Sequence, residues 1–198
     1  MASDQSRTGT IVRNTNETKI ELAVDLDGAG SMSGETGIGF FDHMLNQIAR
    51  HAGIDLSLRV NGDLHIDDHH TVEDVGIAFG KAVELALGSK IGIVRYGQAF
   101  VPMDEALILC ALDISGRGLC VCDLEYPVPM IGNYCSQMTV EFFRAVAHNA
   151  GITLHIRQMS GSNGHHIIEG AFKAFARALR MAISCSGTNE IPSSKGLL

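Results

Sequence analysis

The chain repeats itself, and this internal repeat limits what it can fold into more than any other feature does. Three pairs of segments in the two halves of the chain are similar and keep the same order. The pairs are residues 17–30 and 105–118, residues 43–59 and 141–157, and residues 69–88 and 165–184. Six of the fourteen positions in the first pair are identical, and the offsets of the three pairs are 88, 98 and 96 residues. The repeat predicts a duplicated half-domain of about 95 residues.

Both halves carry the same order of structural signals. An apolar strand ends in a glycine-rich turn, and a helix, a second strand and a second helix that begins at an HHxxE motif follow it. The predicted strands are 20–26, 55–60, 107–114 and 153–158, and the predicted first helices are about 41–52 and 138–150, ending near Gly53 and Gly151. The predicted fold class is α+β, an internally duplicated half-domain in which each half is a small mixed sheet packed with two helices. We expect a single domain, residues 1–198, with repeats at about 7–98 and 99–190 and a C-terminal tail at 191–198.

The composition argues against a nucleic-acid or membrane partner. With 22 acidic and 15 basic side chains, the formal net charge of −7 gives no basis for binding a polyanion. The longest apolar run, residues 106–112, is far shorter than the ~20 residues that span a bilayer. The first ten residues, MASDQSRTGT, lack the apolar core of a signal peptide, so we expect a cytoplasmic protein. The five cysteines include no C-x-x-C pair and are expected to be reduced thiols that act as small buried hydrophobes.

The chain is rich in histidine, with nine in 198 residues. HHxxE occurs at residues 69–73 and 165–169, and it brings two imidazoles and a carboxylate to one end of a helix. A single such motif is as compatible with a solvated helix N-terminus as with a metal site. Two copies at equivalent positions of a repeat favour metal binding, because a structural cap does not need both imidazoles and the glutamate. Mixed nitrogen and oxygen ligands favour manganese or iron over tetrahedral zinc.

A further residue adds to each of these two sets. His43 aligns with Glu141, and imidazole and carboxylate are both competent ligands. The eight candidate ligands, enough for two ions with open positions for substrate or water, are His43, His69, His70, Glu73, Glu141, His165, His166 and Glu169. Asp67 and Asp68 precede the first motif and either orient ligand imidazoles or lie in a solvated turn.

A second group of polar residues suits an anion. Arg95 and Arg117 each follow a repeated element, and the C-terminal PSSKG supplies two hydroxyls and an ammonium. Paired guanidiniums with hydroxyls and an ammonium form a clamp for a phosphate group. The predicted clamp consists of Arg95, Arg117, Ser193, Ser194 and Lys195. Taken singly, each of these cations is equally compatible with an ordinary surface charge.

Nine short motifs, in order along residues 7–198, carry a family resemblance. They are NTNET at 14–18, GFFDHML at 39–45, DDHHTVED at 67–74, RYG at 95–97, PMDE at 102–105, DISGR at 113–117, HHIIE at 165–169, FKAFARAL at 172–179 and PSSKG at 192–196. Together they resemble the imidazoleglycerol-phosphate dehydratases. The resemblance implies a lyase of histidine biosynthesis that dehydrates D-erythro-imidazole glycerol phosphate to imidazole acetol phosphate. It also implies two Mn²⁺ per active site and a homo-oligomer of 24 subunits.

The resemblance also assigns roles to residues. The family's metal ligands fall on the eight candidates above, although many members have histidine where this chain has Glu141, which bears on the geometry of one ion. The residues expected to bind substrate are Glu17, His43, Gln47, His51, His69, His70, Glu73, Arg95, Arg117, His165, Ser193, Ser194 and Lys195. An imidazolate ring held between two ions can act as an electron sink, so that the hydroxyl leaves through a diazafulvene-type intermediate. Glu17 and Glu169 are the candidates for the carboxylate that transfers the proton.

Two other functions use the same residues. A dinuclear metallohydrolase acting on a phosphorylated small molecule would use the ligands to activate water, and it needs no special feature at Glu17 or in the tail. A non-enzymatic metal-binding or assembly protein would give the phosphate clamp no purpose. An assay for an enolisable ketone product from imidazole glycerol phosphate separates the lyase from both.

Overall fold

A computed structural model of the chain describes residues 6–198, and within these residues we number ten strands and four helices. The strands are β1 (Thr8–Asn14), β2 (Thr18–Asp25), β3 (Met32–Ser33), β4 (Asp55–Gly62), β5 (Tyr96–Met103), β6 (Ala106–Asp113), β7 (Leu119–Asp123), β8 (Met130–Ile131), β9 (Tyr134–Cys135) and β10 (Thr153–Ser160). The helices are α1 (Gly39–Ala52), α2 (His69–Leu87), α3 (Met138–Ala150) and α4 (Gly164–Ile183). Every predicted strand and helix is present. Part of the N-terminal segment behind the expectation of a cytoplasmic protein, residues 1–5, lies outside the described residues.

The two halves form two four-stranded mixed sheets of the same design. The strand order is β1-β2-β4-β3 in the first sheet and β5-β6-β10-β7 in the second. In each sheet the first three strands are antiparallel, and the last strand pairs parallel to its neighbour. The predicted duplicated α+β fold is therefore confirmed. The limits of the two repeats and of the tail stay a prediction.

The helices join the halves to each other. Helices α2 and α4 each cover one face of the sheet of their own half, whereas α1 packs on α4 and α3 packs on α2. Phe142 of α3 contacts one phenylalanine from each of the other helices, with ring centroids 5.3 Å from Phe41, 6.4 Å from Phe79 and 5.2 Å from Phe172. All four rings are fully buried. The core is thus shared between the halves.

The first helix of each half ends as the sequence predicts. Gly53 follows α1 with φ 70° and Gly151 follows α3 with φ 62°, and both backbone N–H groups donate to the carbonyl four residues earlier. Glycine adopts this left-handed conformation without the steric cost that a β-carbon brings. The turn then directs the chain into β4 in the first half and β10 in the second.

Two glycines allow the second helix of each half to lie against its sheet. A β-carbon on Gly9 of β1 would lie 2.1 Å from the carbonyl oxygen of Ala82 in α2. A β-carbon on Gly97 of β5 would lie 1.8 Å from the carbonyl oxygen of Ala178 in α4. The contact is therefore itself duplicated, and it fixes the depth at which α2 and α4 cover their sheets.

The uncovered faces of both sheets carry charged and exposed apolar side chains. The first sheet exposes Glu21 and Arg59, whose side chains form an ion pair at 3.5 Å. The second sheet exposes Phe100, Leu119 and Met159, each at least half accessible. In the described part of the chain, no helix combines the length and apolar character that crossing a bilayer requires.

The cysteines are all free thiols. The expected role as a buried hydrophobe fits Cys110, whose thiol pKa is raised by burial in the sheet. It is wrong for Cys185, which is exposed beyond the end of α4.

Candidate active site

Three of the predicted ligands converge where α1 meets α4. His43 lies in the first turns of α1, and His165 and Glu169 lie one helical turn apart at the start of α4. The Glu169 Oε2 atom is 2.9 Å from His165 Nε2 and 3.2 Å from His43 Nε2. The three donor atoms all lie within 4.8 Å of one another, and no other group in residues 6–198 combines three such side chains so closely. The packing of α1 on α4 is what brings the two halves' residues together.

Glu169 is held as an anion. Its side chain is only 7% accessible, and its second oxygen accepts a hydrogen bond from Lys173 Nζ at 2.6 Å. Burial opposes ionisation, but hydrogen bonds from Lys173, His165 and His43 outweigh it, so the pKa of Glu169 is lowered. A buried carboxylate beside two imidazole nitrogens is a donor set that suits a divalent first-row metal ion. The residues present therefore fit a metal at this point.

The equivalent group in the first half is more open. His69 Nε2 and Glu73 Oε2 are 3.6 Å apart at the start of α2. Glu141 lies in the first turn of the neighbouring helix α3, but its carboxylate accepts a hydrogen bond from Arg144 at 2.7 Å. The aligned residues His43 and Glu141 therefore have different neighbours. Glu141 is paired with Arg144, whereas His43 contacts Glu169.

The second histidine of each HHxxE motif faces a carboxylate from a neighbouring loop. His70 Nδ1 is 2.9 Å from Asp63 Oδ2, and its Nε2 is 3.8 Å from Glu17 Oε1. His166 Nδ1 is 2.8 Å from Glu105 Oε2. Neighbouring carboxylates raise the pKa of both imidazoles, chiefly through the hydrogen bonds that the imidazoles donate to Asp63 and Glu105.

Asp67 and Asp68 do not orient an imidazole in this structure. Asp67 accepts a hydrogen bond from the backbone N–H of His69, as a helix-start residue does, and Asp68 accepts one from the backbone N–H of Cys135. The solvated-turn alternative fits the exposed Asp67, whereas Asp68 is buried beneath the β8–β9 hairpin.

A row of polar side chains continues from Glu169 along the α1–α4 contact. Gln47 and His51 follow His43 at intervals of four residues, and their side chains are 3.1 Å apart. Burial lowers the pKa of His51, and the nearby charges of Lys173 and Arg177 lower it further. Lys173 was missed by the sequence reasoning. Its position four residues after Glu169, on the same helix face, is the signal that could have found it.

The predicted phosphate clamp is assembled in one pocket. A cavity of about 450 Å³ is lined by Arg95, Tyr96, Ser115, Gly116, Arg117, Ser193, Ser194, Lys195, Leu197 and Leu198. Arg95 is fixed there, because its guanidinium donates to Asp113 at 2.7 Å and to the carbonyl oxygen of Pro192 at 2.7 Å. Arg117 and Lys195 form no ion pair among the described residues, whereas Arg95 pairs with Asp113. The charges of Arg117 and Lys195 remain available to an anion.

Comparison with known proteins gives one consistent result. The family model described as imidazoleglycerol-phosphate dehydratase matches residues 36–179. The imidazoleglycerol-phosphate dehydratase of Desulforamulus reducens is 56% identical over 194 residues, covering 98% of this chain and 99% of that protein. That of Dinoroseobacter shibae is 54% identical over 194 residues, covering 97% and 100%. The crystal structure of the Staphylococcus aureus protein has a TM-score of 0.82 at 35% identity, covering 90% of this chain and 99% of that chain. The Pyrococcus furiosus structure, in complex with (S)-C348, has a TM-score of 0.80 at 34% identity, covering 95% and 100%.

Proposed function

Because this chain belongs to the imidazoleglycerol-phosphate dehydratase family, and is therefore a hydro-lyase of histidine biosynthesis, we propose that it dehydrates D-erythro-imidazole glycerol phosphate to imidazole acetol phosphate. The proposal includes dependence on Mn²⁺, two ions per active site. The observation that carries it is the convergence of His43, His165 and Glu169, together with a second HHxxE group of the same type. A metal ion held by these donors would supply Lewis-acid stabilisation of negative charge on the imidazole ring of the substrate.

The residues that hold metal in this proposal are the eight predicted ligands. His43, His165 and Glu169 already point their donor atoms at one another, which lowers the cost of organising them. His69 and Glu73 form the start of the second set, and Glu141 joins it by exchanging its bond to Arg144 for a bond to metal. His70 and His166 complete the sets from the second position of each motif.

The phosphate group of the substrate is proposed to bind in the 450 Å³ pocket. Arg95 is anchored through Asp113, so it presents its charge in a fixed direction. Arg117, Lys195 and the two serine hydroxyls supply the other donors. Binding energy from this remote group is available to orient the imidazole ring at the histidine residues.

Of the two carboxylates proposed to transfer the proton, Glu17 is better suited. Both oxygens of Glu169 already accept hydrogen bonds, from Lys173 and from two histidines, and its lowered pKa makes it a weak base. The side chain of Glu17 is 53% accessible, and its one ionic neighbour among residues 6–198 is His70 at 3.8 Å. A carboxylate that is free to move can take the proton and release it to water.

We also propose that the enzyme works in the cytoplasm as a homo-oligomer of 24 subunits. The exposed apolar side chains on the outer face of the second sheet, Phe100, Leu119 and Met159, support self-association. Light scattering of the purified protein tests the size. A monomer at micromolar concentration contradicts this part of the proposal.

The decisive experiment supplies metal-free protein with Mn²⁺ and imidazole glycerol phosphate. We expect an enolisable ketone to form only when both are present. Release of inorganic phosphate without ketone would instead indicate a metallohydrolase. Bound Mn²⁺ with neither product contradicts both enzymatic functions and leaves a metal-binding protein.

A further inference from the structure

We propose that Asp63 and Glu105 are positioning residues that fix the second imidazole of each HHxxE motif in the orientation and tautomer needed to bind metal. The inference rests on the proposed metal site. It concerns two carboxylates to which neither the repeat nor the family resemblance gives a role.

In the first half, Asp63 lies just beyond β4 and faces His70. Its Oδ2 atom accepts a hydrogen bond from His70 Nδ1 at 2.9 Å. Its Oδ1 atom is buried and has no hydrogen-bond partner among the described residues. A buried, unpaired carboxylate oxygen costs free energy, so structural hydrogen bonding alone does not account for this aspartate. Within residues 6–198, the contact with His70 is the one hydrogen bond that its side chain makes.

In the second half, the corresponding loop has no acidic residue. The loop between β4 and α2 has six residues, 63–68, whereas the loop between β10 and α4 has only three, Gly161, Ser162 and Asn163. His166 instead uses Glu105, which comes from the turn before β6, and its Nδ1 atom lies 2.8 Å from Glu105 Oε2. The other oxygen of Glu105 accepts hydrogen bonds from the backbone N–H groups of Ser162 and Asn163, which fixes the carboxylate at the start of α4.

The two halves therefore use carboxylates from different positions for the same contact. Glu105 aligns with Glu17 in the repeat, yet Glu17 does not hold the Nδ1 atom of His70, because Asp63 does. The longer loop of the first half thus releases Glu17 from positioning. This division of roles explains why one copy of an aligned glutamate is fixed by three hydrogen bonds and the other is free.

The chemical consequence follows from the properties of imidazole. An ionised carboxylate only accepts hydrogen bonds, so it keeps the proton of a neutral imidazole on Nδ1 and leaves the Nε2 lone pair free to bind metal. An amide in the same place can donate its N–H to Nδ1, which favours the tautomer with the proton on Nε2. Asp63→Asn and Glu105→Gln are therefore near-isosteric changes that oppose metal binding.

The test measures Mn²⁺ binding to metal-free protein by calorimetry, together with the electron paramagnetic resonance spectrum of the bound Mn²⁺. Asp63→Asn and Glu105→Gln are each expected to weaken binding at one ion by about 10- to 100-fold, as loss of such outer partners does in other metal sites. Glu21→Gln is the matched control, because Glu21 is an exposed carboxylate on the outer face of the first sheet, and Arg59 is its one ion-pair partner in the described part of the chain. It is expected to bind Mn²⁺ like the unchanged protein.

Thermal unfolding without metal separates positioning from folding. The carboxylate of Asp63 accepts no hydrogen bond from a backbone N–H group among the described residues, so Asp63→Asn is expected to keep the unfolding midpoint while losing affinity. Glu105→Gln keeps an oxygen that can accept from the backbone of Ser162 and Asn163. If both variants bind Mn²⁺ as Glu21→Gln does, the inference is overturned and the metal site stands. If the unchanged protein binds no Mn²⁺, the proposed metal site and this inference fail together.

Discussion

At the scale of the residue, the hydrogen-bond partners of Glu169 determine its charge state. Glu169 is surrounded by donors only, two imidazoles and the ammonium of Lys173. Its charge is thus paired in this structure. In the proposed metal site, an ion would have to compete with Lys173 for this carboxylate.

Replacing Glu169 with glutamine tests this assignment. The amide is neutral and cannot provide an anionic ligand, so we expect Mn²⁺ affinity to fall by more than the roughly 100-fold upper range for outer-shell partners. Calorimetric titration of metal-free protein measures it. Glu125→Gln is the control, since that exposed side chain makes no ion pair among the described residues. Affinity that matches the control would remove Glu169 from the ligand set.

Asp55 provides a residue-scale prediction about pH. Its Oδ1 atom accepts hydrogen bonds from Ser31 N at 2.9 Å, Ser31 Oγ at 2.7 Å and Ala29 N at 3.0 Å, which ties the turn after β2 to β4. These bonds, those of Ser31 first, lower the pKa of Asp55 below its ordinary value of 3.8. A lowered folded-state pKa means that the stabilisation is present above pH 3.8 and is lost as the pH falls through the lowered value.

Asp55→Asn is accordingly expected to lower the free energy of unfolding at pH 7. It is also expected to reduce how much that free energy decreases as the pH falls below 3.8. Urea unfolding at a series of pH values checks this. Asp25→Asn in the adjacent position of β2 is the comparison. Equal pH profiles for Asp55→Asn and the unchanged protein would show that the turn does not depend on the charge.

Single residues also show what sequence reasoning can reach. His43 and Glu169 are predicted as ligands because the repeat places residues of the same chemistry at equivalent helix starts. Asp63 and Glu105 could not be found in this way, because the two halves take their positioning carboxylates from positions that do not align. Lys173 is not predicted, since a lysine in a helix is ordinarily a solvated surface charge, although its spacing of four residues from Glu169 on α4 places the two side chains together.

At the scale of the element, close contact between strand and helix decides how deeply α2 and α4 cover their sheets. Gly9 and Gly97 occupy equivalent positions in the first strand of each sheet. The carbonyl oxygen of the facing helix occupies the space that a side chain would need. Because backbone atoms cannot move aside as a side-chain end can, the helix itself would have to shift.

Gly97→Ala is therefore expected to lower the free energy of unfolding by about 1–3 kcal/mol, the usual cost of overpacking. Gly39→Ala is the matched control, since a β-carbon there meets no atom within 4 Å and Gly39 begins α1. Chemical denaturation of both variants measures the difference. Equal stabilities would show that α4 can move away from β5 at little cost.

The strands that the sequence did not predict, β1, β3, β5, β7, β8 and β9, are edge strands of the two large sheets or are only two residues long. Strand β1, TGTIVRN, exposes much of its length at the edge of the first sheet, so its apolar signal is weak. Strand β5 contains Pro102, which is tolerated because β5 is an edge strand. The two-residue strands β3, β8 and β9 are too short for any periodicity to register.

At the scale of the whole molecule, the C-terminus closes the pocket that the two guanidiniums begin. Pro192 fixes Arg95 through its carbonyl group, and residues 193–198 provide much of the remaining lining. A deletion of residues 193–198 retains Pro192 and removes the tail's share of the pocket. The tail can therefore be tested without disturbing the bond that holds Arg95.

We expect this deletion to raise KM about 10- to 100-fold, because a hydrogen bond to a charged group contributes about 1.5–3 kcal/mol. The thermal unfolding midpoint is expected to change little, since the deleted residues are mostly exposed. Steady-state kinetics and calorimetry measure the two quantities. An unchanged KM would exclude the tail from phosphate binding.

The pairing of helices across the halves has a consequence for the origin of the chain. A half-length ancestor with one sheet and two helices would have exposed the helix faces that α1 and α3 now bury on the other half. Such a chain needed a second copy of itself to complete its core, so its folding depended on concentration. With both halves in one chain that dependence is absent, and the two halves are free to differ. Glu105 can then hold His166, while the aligned Glu17 is free of the equivalent contact with His70 Nδ1.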